Sequence, residues 1–405
     1  MRPIPTRLAF GPMLASVSAV LALASVSAVL AVPTGVTGAP GTRETQPRPR
    51  ARDLGITPGA GTPGALNAIT DVAGVRVGQT TLISGDTLRT GVTAILPHMG
   101  NLYREKVPGG VFVGNAFGKL AGSTQVQELG TIETPIILTN TLAVGTAVEA
   151  VVRWTLEQPG NTSVRSVNAL VGETNDGTLN DIRSLSVSRA HVIAAITDAH
   201  SGAVDEGAVG AGTGTIAFGW KGGIGTSSRL VQRVGNEAGV AERPAWTVGV
   251  LVQTNYGGRL TIAGIPVWQR VSPSRRDSPA GEAVSADGSC MIVIATDAPL
   301  DARDLERLAA RAIFALARTG STYSNGSGDF AIAFSTTEDN RVTPATGPQP
   351  RTFLTTDMVS GLFEAAMDAT EEAVYNSLFR ATDMTGNGRT IRALPLDLFT
   401  RVVKQ

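Results

Sequence analysis

The sequence Asp287-Gly-Ser-Cys-Met-Ile-Val-Ile-Ala-Thr296 joins a polar approach, residues 272–286, to an unbroken apolar run that begins at Cys290. An apolar run without polar alternation is typical of a strand that is covered on both faces. The stretch therefore predicts a central strand of a layered α/β protein, with Gly288 and Ser289 at its start.

A Gly-Ser pair at this junction is also the layout of a chain that cleaves itself to free an N-terminal nucleophile. Gly288 permits the strained backbone that an intramolecular attack needs. The Ser289 hydroxyl can attack the preceding carbonyl, and an N-to-O acyl shift followed by water releases a chain that starts at Ser289. Its free α-amine, with a pKa of about 7.7–8.0, then serves as a local base. On spacing alone, a plain turn before a strand is the commoner interpretation.

Helical and strand-like patterns surround this stretch. Residues 301–318 are the clearest helix, with Asp301 as N-cap, Gly320 as the stop and Leu305, Leu308, Ala309, Ala312 and Leu316 on one face. Further helices are predicted at 119–128, 141–157 and 357–379. Strands are predicted at 92–96, 110–114, 193–197, 246–254, 290–296 and 329–335. Long helices beside buried strands indicate helix–sheet–sheet–helix or helix–sheet–helix layers.

The composition excludes several classes of protein. The 405 residues are 42% hydrophobic and 17% charged, which suits a thick core rather than a disordered chain. Lys plus Arg equal Asp plus Glu at 34 each, so a nucleic-acid partner is not expected. Cys290 is the only cysteine, which excludes an internal disulfide and a cysteine-based zinc site. The histidines are scattered, and neither a metal nor an organic cofactor is expected.

The N-terminus has the features of an export signal. Arg2 and Arg7 precede an apolar stretch, residues 8–32, in which Val29-Leu-Ala31 resembles a cleavage site. Residues 1–31 are therefore predicted to be a signal peptide, although the stretch is long enough for a retained membrane anchor. Residues 32–51 are predicted to be a disordered tether and 52–405 a single catalytic domain. No second apolar span follows, so no stable membrane span is expected after signal removal.

Two other kinds of site fit the sequence less well. No Gly-x-Ser-x-Gly nucleophile elbow is present, and no histidine has a context that suggests a Ser-His-Asp triad. The glycine-rich stretch 210–229 resembles a phosphate loop, but Trp220 separates Gly219 from Lys221 and no hydroxyl follows the lysine. It is predicted to be a structural loop near a site.

The sequence resembles the DmpA-like family of L-aminopeptidase/D-amidase-esterases and β-peptidyl aminopeptidases over nearly all of 52–403. The start of the strand described above, 288–300, matches the start of this family's β-chain. The remaining matching motifs occur in the same order along the chain. They are Arg52-x-Leu-Gly55, Asn67-Ala-Ile-Thr-Asp71, Gly74-Val-x-Val-Gly78, Thr90-Gly-Val-Thr93, Thr139-Asn-Thr-x-x-Val-Gly145, Glu173-Thr-Asn-Asp-Gly177, Leu179-Asn-Asp181, Lys221-Gly-Gly-Ile-Gly-Thr-Ser-Ser-Arg229, Val252-Gln-Thr-Asn-Tyr-Gly257, Ala317-Arg-Thr-Gly320 and Asn325-Gly-Ser-Gly-Asp329.

The resemblance implies a role for each matching site residue. Ser289 matches the nucleophile, and Gly288–Ser289 the bond that is cut. Ser327 and Asp329 match a serine–acid pair that helps to move the nucleophile's proton, although some members have Glu as the acid. Asn255 matches the amide that donates to the oxyanion, against the alternative of a turn-forming residue. Glu173 matches the carboxylate that binds the substrate's free amine, against the alternative of a solvated loop acid.

The resemblance further implies a four-layer α/β/β/α sandwich, matured into an α chain ending at Gly288 and a β chain from 289 to 405. The αβ units would assemble as homo-oligomers, specifically tetramers. Short peptides, amides or esters would be the substrates, and the signal favours an exported enzyme. Two alternatives remain open: an acyltransferase of the same fold, related to ornithine acetyltransferases, and a non-catalytic envelope binding protein.

Overall fold

Two stacked β-sheets form the centre of the computed structural model, which describes residues 48–232, 246–273 and 288–402. The strands are β1 (Arg76–Ser84), β2 (Leu88–Leu96), β3 (Val107–Ala116), β4 (Leu120–Ala121), β5 (Thr131–Ile132), β6 (Ile136–Asn140), β7 (Leu170–Thr174), β8 (Ile216–Ala217), β9 (Trp220–Lys221), β10 (Gly223–Val231), β11 (Trp246–Asn255), β12 (Thr261–Ile262), β13 (Ile265–Pro266), β14 (Ser289–Thr296), β15 (Gly328–Ser335), β16 (Met384–Gly386) and β17 (Arg389–Ile391). The helices are α1 (Ser123–Leu129), α2 (Val144–Glu157), α3 (Arg189–Thr197), α4 (Ala302–Thr319), α5 (Ser360–Arg380) and α6 (Asp397–Val402).

The two sheets are mixed in strand direction. The first has the order β1-β2-β6-β7-β4 and the second the order β10-β11-β14-β15-β3-β5. β6 runs parallel to β7, and β14 runs parallel to β15, whereas the other neighbouring pairs of these sheets are antiparallel. β14 therefore lies in the interior of its sheet, with β11 on one side and β15 on the other.

Three apolar clusters show how the layers stack. One fills the space between the sheets and includes Ile136 from the first sheet and Leu251 from the second. A second lies between the first sheet and helices α2 and α3. The third lies between the second sheet and helices α4 and α5. The fold is thus an αββα sandwich, which confirms the four-layer prediction and excludes the three-layer alternative.

β14 is covered on both of its faces, as its unbroken apolar sequence predicts. Cys290, Ile292 and Ile294 belong to the cluster beneath α4 and α5. The alternate residues Met291 and Val293 belong to the cluster between the sheets. Because side chains alternate along a strand, the odd-numbered positions, which include Ser289, point toward the space between the sheets.

The termini of α4 confirm the capping predicted from the sequence. The Asp301 side chain accepts a hydrogen bond from the Asp304 backbone N–H at 2.8 Å. At the other end Gly320 has φ 96°, a left-handed conformation that glycine adopts without steric cost. The five residues predicted for the buried face of the helix are all buried.

Two secondary-structure predictions need correction. Residues 193–197, predicted to be a strand, lie in helix α3. Val192, Ala195 and Ile196 have helical spacing and are buried together, and His191 Nδ1 accepts the Ser188 N–H at 3.1 Å where the helix begins. The helix predicted at 119–128 starts later, as α1, because Leu120–Ala121 pairs with β7 as strand β4.

The folded domain also begins earlier than predicted. The sequence predicts a tether up to residue 51, but Ala51 is fully buried and its N–H donates to Asn376 Oδ1 at 3.0 Å. The Arg48 and Arg50 guanidiniums donate to backbone carbonyls of the domain, including those of Phe379 and Thr226. The predicted signal, 1–31, and the tether up to residue 47 lie outside the described residues. Within the described ranges, no helix is long and apolar enough to cross a membrane.

Candidate active site

Ser289 is the first residue of β14, and its two strand neighbours are both predicted site segments. In the antiparallel pair with β11 it lies opposite Asn255. In the parallel pair with β15 it lies beside Gly328. Gly328 is the residue between Ser327 and Asp329 in the sequence. Strand order thus brings together side chains that are separated by up to 74 positions in the chain, from Asn255 to Asp329.

Gly288 has no room for a side chain. A Cβ built there would lie 2.0 Å from the Asn255 carbonyl oxygen and 2.6 Å from the Tyr256 Cα, so only glycine fits. The need for glycine at this position comes from this close approach of neighbouring backbone. Its carbonyl oxygen accepts the Gly328 N–H at 3.0 Å, which fixes the direction of the Gly288–Ser289 peptide bond.

The Ser289 hydroxyl is positioned by one hydrogen bond that it accepts, and this bond does not use its proton. Ser289 is 6% exposed, and its Oγ accepts the same Gly328 N–H at 3.3 Å. A hydroxyl that accepts one hydrogen bond still has its own proton to give up. The neighbouring Cys290 is fully buried, and burial raises the pKa of its thiol well above the ordinary value. Of these two adjacent nucleophile types, only the serine is suited to react.

Ser327 and Asp329 form a buried hydrogen-bonded pair. The Ser327 hydroxyl donates to Asp329 Oδ2 at 2.8 Å. Burial raises the pKa of the Asp329 carboxyl to about 6, and the hydrogen bond from Ser327 offsets part of this rise. The other carboxyl oxygen, Oδ1, is buried with no hydrogen-bond partner among the residues that the structure describes. Asp329, although shorter than the glutamate of some members, therefore still reaches Ser327, the serine with which the family resemblance pairs it.

Asn255 is oriented by a backbone group from a distant loop. Its Oδ1 accepts the Ile216 N–H at 2.9 Å, and the residue is 8% exposed. Because the oxygen is engaged in this bond, the amide NH₂ points the other way and is left as a donor. The partner lies 39 residues upstream, so this hydrogen bond is not the local one of an Asx turn.

The loop that holds Asn255 is itself fixed by Lys221, whose role has no signal in the sequence. Lys221 is fully buried, and its Nζ donates to the carbonyls of Gly212, Thr215 and Gly222 at 2.8–3.0 Å. An ammonium group has three donors, and these three carbonyls use them all. Residues 210–222 of the glycine-rich stretch therefore form a packed structural segment beside the site that includes the short strands β8 and β9, whereas residues 223–229, predicted as part of the same loop, lie in strand β10. The lysine binds protein carbonyls in place of phosphate.

Glu173 lies on β7 in the first sheet and is almost completely buried. Its Oε1 accepts the Lys119 backbone N–H at 3.0 Å, and its Oε2 accepts the Thr141 hydroxyl. The Lys119 ammonium lies 3.6 Å from Oε1; the Glu173 side chain is 3% exposed and that of Lys119 54%. Glu173 is thus not a solvated loop acid. Sequence reasoning missed Lys119 and Thr141, although Thr141 lies inside a quoted motif.

A short segment, residues 117–119, contacts both Glu173 and the segment beside the nucleophile. The Phe117 N–H donates to the Ser327 carbonyl at 3.1 Å. A Cβ placed on Gly118 would lie 3.3 Å from Glu173 Oε1 and 3.5 Å from the Gly328 Cα. The carboxylate therefore lies next to the segment that contacts Ser289, although the two residues belong to different sheets.

The three histidines are engaged elsewhere. The His98 ring bonds the Glu105 carbonyl, that of His191 accepts the Ser188 N–H, and that of His200 bonds the Asp198 carbonyl. None of these partners belongs to the Ser289 site. The geometry therefore gives no support to a Ser-His-Asp triad, in agreement with the sequence.

A serine at the start of an interior strand of an αββα sandwich, without a histidine base, defines a hydrolase of the N-terminal-nucleophile class. The model of peptidase family S58 matches residues 67–391. The chain belongs to this family, and it is a serine aminopeptidase.

Similar proteins are known over most of the chain. The β-peptidyl aminopeptidase BapA of Sphingosinicella microcystinivorans is 43% identical over 369 residues, which cover 86% of this chain and 90% of the relative. The crystal structure of the PH0078 protein from Pyrococcus horikoshii OT3 is 47% identical, with a TM-score of 0.79 over 88% of this chain and 99% of that one. The L-aminopeptidase D-Ala-esterase/amidase of Ochrobactrum anthropi, a variant of the Ntn hydrolase fold, is 37% identical, with the same TM-score and coverage.

Proposed function

We propose that Ser289 cuts the chain at the Gly288–Ser289 bond and then removes the N-terminal residue from short peptides, amides or esters. The observation that carries this proposal is the meeting of Ser289, Asn255 and Gly328 at one end of three neighbouring strands. The names of the relatives, which cover β-peptides and amino-acid amides and esters, support this substrate class.

In the self-cleavage, Ser289 Oγ attacks the Gly288 carbonyl carbon, and the peptide C–N bond breaks as an ester forms. Water then hydrolyses the ester, which leaves a carboxylate on Gly288 and a free hydroxyl and α-amine on Ser289. The Gly328 N–H already donates to the Gly288 carbonyl oxygen. This donor would stabilise the negative charge that develops on the oxygen during the attack.

In turnover, the new α-amine of Ser289 takes the hydroxyl proton as Oγ attacks the substrate carbonyl. Ser327, whose own proton is directed at Asp329, presents an oxygen lone pair that can hold the resulting ammonium. The Asn255 amide donates to the oxyanion. The proton passes to the leaving amine or alcohol, and water then resolves the acyl-enzyme by the same steps.

Glu173 is the group that would require the substrate to have a free amine. A carboxylate that is bound by one backbone N–H and one hydroxyl keeps acceptor sites for an ammonium group. Its position beside Gly118 and Gly328 places such an ammonium close to the carbonyl that Ser289 attacks. This arrangement fits the removal of single N-terminal residues.

The exchange Glu173→Gln tests this assignment. The glutamine retains an oxygen for the Lys119 N–H but loses the charge, so KM for an amino-acid p-nitroanilide is expected to rise about 10- to 100-fold, the usual value of a charge-assisted hydrogen bond. Steady-state kinetics with the amine substrate and its des-amino analogue provide the measurement. Equal effects on both substrates would contradict the proposed role.

The Asp329 carboxyl should be visible in the pH dependence. The buried acid has a pKa of about 6, so it loses its proton as the pH rises through 6, and only the carboxylate can accept the Ser327 proton fully. Because the Ser289 α-amine must also be deprotonated, log kcat/KM should fall with slope one below the pKa of this amine, about 7.7–8.0, and with slope two below about pH 6.

The matched variant for this pH profile is Asp329→Asn, which keeps the shape and a hydrogen-bond acceptor for Ser327. In this variant the second break near pH 6 should be absent while the first remains. A break near pH 6 that persists in Asp329→Asn would assign it to a different group. Thermal unfolding at each pH separates loss of activity from loss of structure.

We further propose that the enzyme is exported and that its αβ units assemble as tetramers. The arginines and the apolar stretch at the N-terminus support export, and assembly is proposed from the family resemblance. N-terminal sequencing of protein from cell fractions tests the first proposal, with cytosolic full-length protein as the contradicting result. Light scattering of the matured enzyme tests the second.

A further inference from the structure

The carboxylate of Glu173 is already paired with a cation from its own chain. Lys119 Nζ lies 3.6 Å from Glu173 Oε1, the oxygen that also accepts the Lys119 backbone N–H. The substrate's ammonium would need the same oxygen, because Oε1 is the one that faces the nucleophile segment: a Cβ placed on Gly118 would lie 3.3 Å from Oε1 and 3.5 Å from the Gly328 Cα, whereas Oε2 accepts the Thr141 hydroxyl. Two positive groups would therefore compete for one buried acceptor.

The backbone of Lys119 is fixed, whereas its side chain is able to move. Its backbone N–H donates to Glu173. The two preceding residues are also fixed, because the Gly118 N–H donates to the Ala116 carbonyl and the Phe117 N–H to the Ser327 carbonyl. The Lys119 side chain is 54% exposed, whereas that of Glu173 is 3% exposed. The ammonium can therefore swing into water at little cost while the carboxylate stays in place.

We infer that Lys119 is a specificity-determining residue whose ammonium occupies the amine subsite in the free enzyme and is displaced by the ammonium of the substrate. This inference rests on the proposed role of Glu173. The Lys119 ammonium offsets the charge of the buried Glu173 carboxylate when no substrate is bound. A substrate amine must therefore bind the carboxylate more strongly than Lys119 does in order to displace it. After displacement the lysine remains near the subsite and weakens amine binding by like-charge repulsion.

The test is the exchange Lys119→Met, with Lys119→Arg as the matched control. Methionine has a similar length and no charge, and the backbone N–H that holds Glu173 is unchanged. KM for an amino-acid p-nitroanilide should fall about 2- to 5-fold, the range that corresponds to an exposed ion pair, with kcat unchanged. The des-amino analogue should be unaffected, and Lys119→Arg should behave as the wild type. The gain should shrink as salt is raised from 50 mM to 500 mM, since the competing cation is exposed.

The double variant Lys119→Met with Glu173→Gln separates this inference from the proposed function. If Lys119 acts only through Glu173, the methionine should change nothing in the glutamine background. An unchanged or raised KM in Lys119→Met, together with a raised KM in Glu173→Gln, would overturn the displacement and leave the amine subsite intact. If neither variant changes KM, the assignment of Glu173 is overturned as well.

Discussion

Replacing Ser289 with alanine is expected to give one uncleaved chain with no measurable hydrolysis. Both reactions need the same oxygen atom, because Oγ is the attacking group in the self-cleavage and again in turnover. Loss of the nucleophile from a serine protease lowers kcat on the order of 10⁶-fold, and here the variant also lacks the α-amine that only cleavage can produce. The loss of activity should therefore be complete.

Intact mass under denaturing conditions gives the most direct reading. The wild type should show two fragments that meet at the 288/289 bond, and Ser289→Ala a single chain. Ser335→Ala is the matched control, because it removes another buried serine hydroxyl at the far end of β15. This hydroxyl bonds the Ala298 carbonyl and Thr337, which lie away from the Ser289 site. This control should cleave and turn over normally. A single chain in the wild type would mean that the fold persists without the chemistry, as in a binding protein.

The parts of the fold that were predicted correctly are those with a local signal. β14 is apolar from Cys290 to Ala295, and α4 has an Asp cap, a helical stripe and a terminal glycine within one stretch of sequence. Such patterns report burial directly, because each residue's environment follows from its neighbours in the chain. Where the local signal is weak, the prediction is wrong: the apolar run at 193–197 is too short to distinguish a strand from a helix by periodicity alone.

The charged interior could not be predicted in this way. Lys221 and Arg229 are fully buried, although such residues are normally exposed. The charged partner of Arg229 comes from a distant segment: its guanidinium binds the Glu372 carboxylate at 2.6 Å, 143 residues away. Only the fold places Arg229 beside Glu372. The burial of Lys221 is offset by its three carbonyl acceptors, and that of Arg229 by its ion pair with Glu372.

The site shows the same division between local and distant information. The resemblance named Ser289 and Asn255, and strand register explains their proximity. The contacts that orient Asn255 and Glu173 come from backbone groups, the N–H of Ile216 and the N–H of Lys119. A backbone donor has no sequence signature, because every residue except proline carries one. Its role becomes visible only when the fold fixes its direction.

Asn255→Asp is expected to lower kcat about 100- to 1000-fold with little change in KM, the usual cost of removing one oxyanion donor. Aspartate keeps the oxygen that accepts the Ile216 N–H, so the loop before β10 should stay in place. It replaces the donating NH₂ with an oxygen and places a negative charge where the oxyanion develops. The effect should therefore fall on the transition state rather than on substrate binding.

Asn255→Ala supplies the comparison, since it removes both the donor and the acceptor for Ile216. If the asparagine acts only by holding the loop, aspartate should retain near-normal kcat and alanine should lose it. If the amide donates to the oxyanion, both variants should lose kcat, and alanine should also lower the melting temperature. Because self-cleavage passes through an oxyanion as well, kcat must be divided by the cleaved fraction measured by mass. A normal kcat per cleaved chain in Asn255→Asp would exclude the donor role and leave backbone N–H groups as the oxyanion donors.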